Sequence, residues 1–141
     1  TGIPATTEIT GISADSRKIK PGYVFVALQG SKAAGADYIV AARQAGASAV
    51  LGAATTGGDI TVNNPRLALA QLAAAFYPEQ PEHIVAITGT DGKTSTADFF
   101  RQFWHVMGKQ SASIGTLGTL SGTGQILSEG THTTPDPVEL H

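Results

Sequence analysis

The stretch Gly89-Thr90-Asp91-Gly92-Lys93-Thr94-Ser95 gives the clearest indication of the fold. It follows the apolar run Ile84 to Thr88 and precedes a segment from Lys93 to Met107 whose apolar residues recur at helical spacing. The pattern therefore predicts strand, glycine loop and helix in that order. Two glycines let the backbone curl so that successive N–H groups point inward and form a concave anion site. The sequence thus predicts a phosphate-binding loop of an ATPase domain.

The loop supplies a group for each part of bound ATP. Lys93 is placed to reach the outer phosphates, and the Thr94 hydroxyl is placed to bind Mg²⁺. The longer motif G-x-x-x-x-G-K-[ST] would need glycine at position 87, where this chain has Ile87. An ordinary turn between strand and helix is the alternative, but the flanking elements favour phosphate binding. Asp91 would repel phosphate unless it points to solvent or to the metal.

Further elements are expected around this loop. The run Ile84 to Thr88 is typical of a strand buried on both faces of a parallel sheet. The helix from Lys93 to Met107 should bury one apolar face, formed by Phe99, Phe100, Phe103 and Trp104. A strand at residues 111–114 would complete a βαβ unit. Near the end of the chain, Asp136 and Pro137 predict a helix start, so we expect this second domain to be incomplete.

A separately patterned region precedes the loop. It predicts a strand at Tyr23 to Leu28, a helix at Asp37 to Ala45, a strand at Ala49 to Leu51 and a helix at Arg66 to Tyr77. The segment 78–82 carries two prolines and two acids and suits a linker. The prediction is an α/β chain with a small N-terminal αβ domain at 1–82, followed at 83–141 by the truncated start of a P-loop-type parallel-sheet domain.

Composition excludes several classes of partner. The net charge is -2 and the nine Lys and Arg residues are scattered, which argues against nucleic-acid binding. No apolar run approaches the roughly 20 residues of a membrane span. The chain has no cysteine, which excludes disulfides and thiolate metal sites. We expect a cytoplasmic protein that binds neither nucleic acid nor membrane.

Other candidate sites are ambiguous on local grounds. The segment Asp15-Ser16-Arg17 suits a polar turn with a solvated charge. Asn64 and Pro65 suit a helix entry. The four histidines lack the spacing and acidic neighbours of a metal site. Thr133-Thr134-Pro135 offers two hydroxyl donors, although a simple proline turn explains it equally well.

Taken together, these segments resemble the Mur ligase family along nearly the whole chain. The segments that carry the resemblance, in order, are Asp15-Ser16-Arg17, Pro21-Gly22, Phe25-Val26-Ala27-Leu28, Gly46-Ala47, the loop 89–95, Ile114-Gly115-Thr116-Leu117-Gly118 and Thr133-Thr134-Pro135-Asp136. The last two are similar to the branch of the family that adds the third residue of the peptide. Asp91 stands where asparagine is usual in the family, and Ala34 where aspartate is.

The resemblance implies the substrates. The first domain would hold the uridine end of UDP-N-acetylmuramoyl-L-alanyl-D-glutamate through Ser16 and the loop Ser31-Lys32-Ala33. His132, Thr133 and Thr134 would contact the muramoyl-peptide part. ATP and Mg²⁺ would bind the loop 89–95, with Lys93 as the catalytic residue. An amino acid, with meso-diaminopimelate preferred and lysine as an alternative, would bind a further domain beyond residue 141. We therefore expect the 141-residue chain to be inactive alone.

Two alternatives remain open. A folylpolyglutamate-synthase-type ligase shares the loop but usually lacks a preceding domain of this kind, and Asp15-Ser16-Arg17 opposes it. A non-catalytic module that binds a UDP-sugar or another nucleotide would use the same residues without turnover.

Overall fold

The computed structural model describes residues 7–29, 35–130 and 135–140. Contacts within the chain divide it into two compact units between Glu79 and Gln80. The domain ranges 1–82 and 83–141 stay predictions, because this division does not test whether either unit folds independently. Among the described residues, every helix is too short or too polar to span a membrane.

The first unit is built on a four-stranded parallel sheet. Its strands, in chain order, are β1 (Gly11–Ser13), β2 (Tyr23–Ala27), β3 (Ala49–Gly52) and β4 (Ile60–Thr61). The same order is kept across the sheet, and every neighbouring pair is parallel. The helices are α1 (Ile39–Gln44), which follows a 3-10 turn at Gly35–Tyr38, and α2 (Pro65–Phe76). A short 3-10 turn, Ser16–Lys18, follows β1.

The core of this unit lies on β2 and β3, as their apolar sequences predict. Phe25, Val26 and Val50 are almost fully buried, and Leu69 of α2 packs into the same unit with 1% exposure. The Leu67 N–H donates to Asn64 Oδ1 at 3.1 Å, so Asn64 caps α2 and leads directly into Pro65. The strands and helices predicted for this region are confirmed, with boundaries shifted by a few residues.

The second unit has one long helix and an antiparallel sheet. Its elements are α3 (Lys93–Val106), β5 (Ala112–Gly115), β6 (Gly118–Ser121), β7 (Ile126–Ser128) and α4 (Pro137–Leu140). The sheet order is β5-β6-β7, and both pairs are antiparallel. The predicted cap of α4 is confirmed, because Asp136 Oδ1 accepts hydrogen bonds from the Val138 and Glu139 N–H groups.

The strand predicted over Ile84 to Thr88 is wrong for this structure. Those residues form no strand, and the side chains of Ile84 and Val85 are 69% and 58% exposed. A strand exists only when another strand satisfies its backbone hydrogen bonds, and no described strand pairs with this segment. The predicted βαβ unit is therefore wrong as well. The strand near residue 112 does form, but it pairs with the strand that follows it in the chain.

The predicted buried face of α3 is also wrong. Phe99, Phe100 and Phe103 are 65%, 47% and 71% exposed, whereas Arg101 is buried. The reason is that β5 and β6 lie against the side of the helix that carries Arg101, and its guanidinium donates to backbone carbonyls of this sheet. The apolar stripe is present in the sequence, but the described residues leave its phenylalanines exposed, and only Trp104 is half-buried, against the His83 ring.

Candidate functional site

The phosphate loop has the backbone geometry that its two glycines allow. Gly89 has φ +141°, and Gly92, the N-cap of α3, has φ +75°. L-residues with side chains rarely adopt either value. The first helical hydrogen bond runs from the Thr96 N–H to the Gly92 carbonyl at 2.8 Å. The amides of residues 93–95 precede that bond and have no acceptor within the helix, so they are free to bind an anion.

The Lys93 side chain folds over this loop. Its Nζ donates to the carbonyl oxygens of Gly89 at 2.6 Å and Thr90 at 3.0 Å. The ammonium group is therefore held at the mouth of the loop, where it would meet phosphate oxygens. Thr94 and Ser95 are exposed on the first turn of α3. The structure thus brings together the loop residues 89–95 that the sequence predicts.

A magnesium ion would find few protein ligands here. Among residues 7–29, 35–130 and 135–140, no cluster of three or more His, Cys, Asp or Glu could hold a metal. Mg²⁺ usually keeps several waters and binds one or two protein oxygens together with substrate phosphates. The exposed Thr94 hydroxyl beside the loop fits that donor set. Asp91 is exposed at the tip of the loop, so its carboxylate has access to solvent.

Ser16 lies at the carboxyl edge of the parallel sheet in the first unit. It begins the 3-10 turn that follows β1. The end of β2 lies at the same edge, because Ser13 pairs with Phe25 in parallel register. Ligands of parallel sheets bind outside the carboxyl ends of their strands, so Ser16 is in a suitable place. Ser31, Lys32, Ala33, His132, Thr133 and Thr134 lie outside the described residues, and their contacts remain predictions.

Asp15 organises the turn around Ser16 in a way that the sequence did not reveal. Its carboxylate accepts from Arg17 Nε at 2.9 Å and from Arg17 Nη2 at 2.7 Å. These side-chain hydrogen bonds lower the pKa of Asp15, against the opposing effect of partial burial. The turn-former interpretation of Asp15 was therefore incomplete. The opposite charges two residues apart were the only sequence signal of this pairing.

A second ion pair escaped the sequence analysis. Arg101 Nη2 donates to Asp98 Oδ1 at 2.6 Å, and the Arg101 side chain is only 6% exposed. The hydrogen bond from Arg101, helped by one from Gln102, lowers the pKa of Asp98. The i,i+3 spacing of opposite charges predicts a helical pair. It does not predict that the arginine is buried.

Both units are similar to parts of known proteins. A profile described as "Mur ligase family, catalytic domain" matches residues 8–77, and one described as "Mur ligase middle domain" matches residues 87–141. The chain is 50% identical, over 97% of its length, to the UDP-N-acetylmuramoyl-L-alanyl-D-glutamate--2,6-diaminopimelate ligase of Bradyrhizobium diazoefficiens. The chain belongs to the Mur ligase family. A Rhizobium meliloti ligase of the same name is 50% identical over 99% of the chain.

Solved structures of Mur ligases agree with this membership. The structure of a UDP-N-acetylmuramoyl-L-alanyl-D-glutamate--2,6-diaminopimelate ligase superposes with TM-score 0.70 at 26% identity, covering 94% of this chain and 28% of that one. The MurF ligase of Thermotoga maritima in complex with ADP superposes with TM-score 0.55 at 27% identity, over 71% of this chain and 24% of that one. The predicted α/β class and Mur ligase resemblance are confirmed. The chain spans about 29% of the length of the Bradyrhizobium diazoefficiens and Rhizobium meliloti ligases.

Proposed function

We propose that the protein containing this chain is an ATP-dependent, amide-bond-forming ligase of peptidoglycan precursor synthesis. It adds meso-diaminopimelate to UDP-N-acetylmuramoyl-L-alanyl-D-glutamate. The observation that carries the proposal is the 50% identity, over 97% of this chain, to a relative with that named activity. The geometry of the phosphate loop supports it, because a ligase of this kind must hold ATP.

ATP would bind the loop 89–95. In this proposal ATP phosphorylates the D-glutamate carboxylate, and the amine of the incoming amino acid then attacks the acyl phosphate. Negative charge on the transferring phosphoryl group needs positive groups held in place. Lys93 and the amides at the start of α3 would supply part of this charge, and Thr94 would hold Mg²⁺. The ADP complex of the Thermotoga maritima ligase supports a nucleotide site in this fold.

Two groups of residues would hold the UDP-dipeptide. Ser16 and the loop Ser31-Lys32-Ala33 would hold its uridine end, and His132, Thr133 and Thr134 would contact the muramoyl peptide. The position of Ser16 at the carboxyl edge of the sheet supports the first assignment. The amino acid would bind parts of the protein outside this chain. A cytoplasmic location stays part of the proposal, because ATP is a co-substrate.

The proposal is tested with the full-length protein. ATP, Mg²⁺ and the UDP-dipeptide are supplied with either meso-diaminopimelate or lysine, and phosphate release and UDP-tripeptide formation are followed. We expect phosphate and tripeptide to appear in equal amounts with meso-diaminopimelate. Binding of UDP-dipeptide without turnover with any amino acid would instead identify a non-catalytic binding module.

The role of Lys93 has its own prediction. Lys93→Ala should weaken binding of a non-hydrolysable ATP analogue about ten-fold or more, because a charge-assisted hydrogen bond to phosphate is lost. Calorimetry on the full-length protein measures this change. Lys109→Ala is the matched control, since Lys109 is an exposed lysine just beyond the other end of α3. Equal affinity of the Lys93 and Lys109 variants would remove Lys93 from the phosphate site.

A further inference from the structure

Asp15 fixes the backbone on both sides of Ser16. Before the serine, the Asp15 N–H donates to Ser13 Oγ at 3.0 Å, and this buried hydroxyl donates to the Asp15 carbonyl at 3.2 Å. After it, the Arg17 N–H donates to Asp15 Oδ1 at 3.0 Å, and the Lys18 N–H donates to the Asp15 carbonyl at 3.0 Å. One aspartate therefore closes the turn that carries Ser16.

The Arg17 side chain adds a clamp on the same carboxylate. Its Nε and Nη2 atoms approach the two oxygens of Asp15 together, which is the bidentate geometry that arginine favours. The Arg17 side chain is 87% exposed, so the pair itself adds little to folding stability. Its effect is local. It holds the carboxylate in the orientation in which Oδ1 also accepts the Arg17 N–H.

The Ser16 hydroxyl, by contrast, takes no part in the hydrogen bonds of the turn. It forms no hydrogen bond with any residue that the structure describes, and Ser16 is only partly buried. The direction of a serine hydroxyl depends on the φ and ψ angles of its own residue and on one side-chain torsion. When the backbone is fixed on both sides of Ser16, the side-chain torsion is the main remaining variable that sets the direction of this hydroxyl.

We infer that Asp15 is a positioning residue that holds Ser16 ready for the uridine end of the UDP-dipeptide. The inference rests on the role of Ser16 in the proposed function. Without the carboxylate, the Arg17 N–H loses its acceptor and the turn opens more easily. Ser16 must then be ordered when the substrate binds, and that ordering weakens binding. Asp15 acts through Ser16, so its effect should disappear when the Ser16 hydroxyl is absent.

A double-mutant cycle in the full-length protein tests this dependence. Ser16→Ala and Asp15→Ala should each raise the KM for the UDP-dipeptide roughly three- to ten-fold, the range for one lost hydrogen bond, and leave the KM for ATP unchanged. The double variant should be no worse than the more affected single variant. Asp15→Asn keeps an acceptor for the Arg17 N–H and loses only the charged pair with Arg17, so it should raise the KM for the UDP-dipeptide less than Asp15→Ala does. If Asp15→Ala does not fold, the cycle is measured with Asp15→Asn, and its smaller rise should also disappear in the Ser16→Ala background.

Asp59 provides the matched control. Like Asp15, it pairs with an arginine, which is Arg43, and it accepts a backbone N–H, which is that of Val50. Asp59→Ala should leave the KM for the UDP-dipeptide unchanged, with or without Ser16→Ala, even where it lowers the melting temperature. The inference is overturned if Asp15→Ala raises this KM by the same factor in the Ser16→Ala background, or raises it no more than Asp59→Ala does.

Failure of the inference can be told apart from failure of the proposed function. If Ser16→Ala leaves the KM unchanged while the protein still turns over, the ligase assignment stands, but Ser16 and Asp15 lose their roles. If the wild-type protein does not turn over, the ligase assignment fails. The same cycle is then measured as dissociation constants for the UDP-dipeptide by calorimetry, with the same expected coupling between the two residues.

Discussion

At the scale of single residues, aspartates that accept both an arginine and a backbone N–H fix local geometry. Asp59 is the second example. Arg43 Nη2 lies 2.6 Å from each of its carboxylate oxygens, and the Val50 N–H donates to Oδ2 at 2.7 Å. Asp59 thereby links Arg43 of α1 to Val50 of the inner strand β3. The hydrogen bond from Arg43 is the main cause that lowers the pKa of Asp59, and partial burial opposes it.

This pKa shift predicts a pH-dependent stability. The folded state holds the pKa of Asp59 below its ordinary value of 3.8, so the folded protein binds this proton more weakly than the unfolded chain does. The stabilisation is fully present above about pH 4 and is lost as the pH falls through the lower folded pKa. Asp59→Asn should lower the melting temperature by about 4 °C at neutral pH. Melting curves from pH 7 downward should show this difference shrinking below about pH 4, and a difference that grows there would contradict the assignment.

At the scale of elements, a single buried arginine holds α3 to the antiparallel sheet. Arg101 Nη1 donates to the carbonyls of Ser121 at 2.9 Å and Gly122 at 2.5 Å, at the end of β6. Ser111 Oγ, just before β5, donates to the Arg101 carbonyl at 2.9 Å. The helix that begins at the phosphate loop is therefore attached to both strands through one residue. Asp98 completes the set of partners by accepting from Nε and Nη2.

Removing this arginine should destabilise the second unit. Arg101→Met keeps much of the buried aliphatic volume but removes the guanidinium hydrogen bonds to the Ser121 and Gly122 carbonyls and to Asp98. We expect the melting temperature of this unit to fall by at least about 5 °C. Fluorescence of Trp104, the only tryptophan in the chain and a residue of α3, reports this transition. Arg66→Met, at an exposed position of α2, is the control, and an equal effect of both variants would show that the buried contacts of Arg101 do not matter.

At the scale of the whole molecule, the apolar core is concentrated in the first unit. Among the described residues, Leu120 is the one buried hydrophobic residue of the second unit, whereas the first unit buries β2, β3 and parts of both helices. The second unit also exposes the phenylalanines of α3. Stability comes mainly from burying apolar surface, so the second unit should be the less stable of the two in this chain.

The distribution of aromatic residues makes this difference measurable. Tyr23, Tyr38 and Tyr77 all belong to the first unit, and Trp104 belongs to the second. We expect the Trp104 signal to unfold at a lower temperature than the tyrosine signal, which is followed in a Trp104→Phe variant. Phe25→Ala, at a position 1% exposed, should cost about 3–5 kcal/mol and lower only the tyrosine transition. Coincident transitions that shift together would mean that the units unfold as one.

Features that depend on neighbouring residues were predictable from the sequence. Glycines at positions 89 and 92 predicted a tightly curled loop, and both have the positive φ that such a curl uses. Asn64 followed by Pro65 predicted the start of α2, and the family segments predicted a Mur ligase. Caps, tight turns and motifs involve residues only a few positions apart, so their physical causes can be read directly from the chain.

The sequence did not predict which surfaces of the helices and strands meet. The run Ile84 to Thr88 has a strand's composition, but strand pairing needs a partner distant in sequence, and the described residues provide none. No pattern in the sequence predicted the burial of Arg101, because it donates to carbonyls 20 and 21 residues away, which no helical periodicity encodes. The clamp of Arg17 on Asp15 likewise depends on side-chain rotamers. Burial and pairing are properties of the assembled fold, because they depend on residues that folding alone brings together.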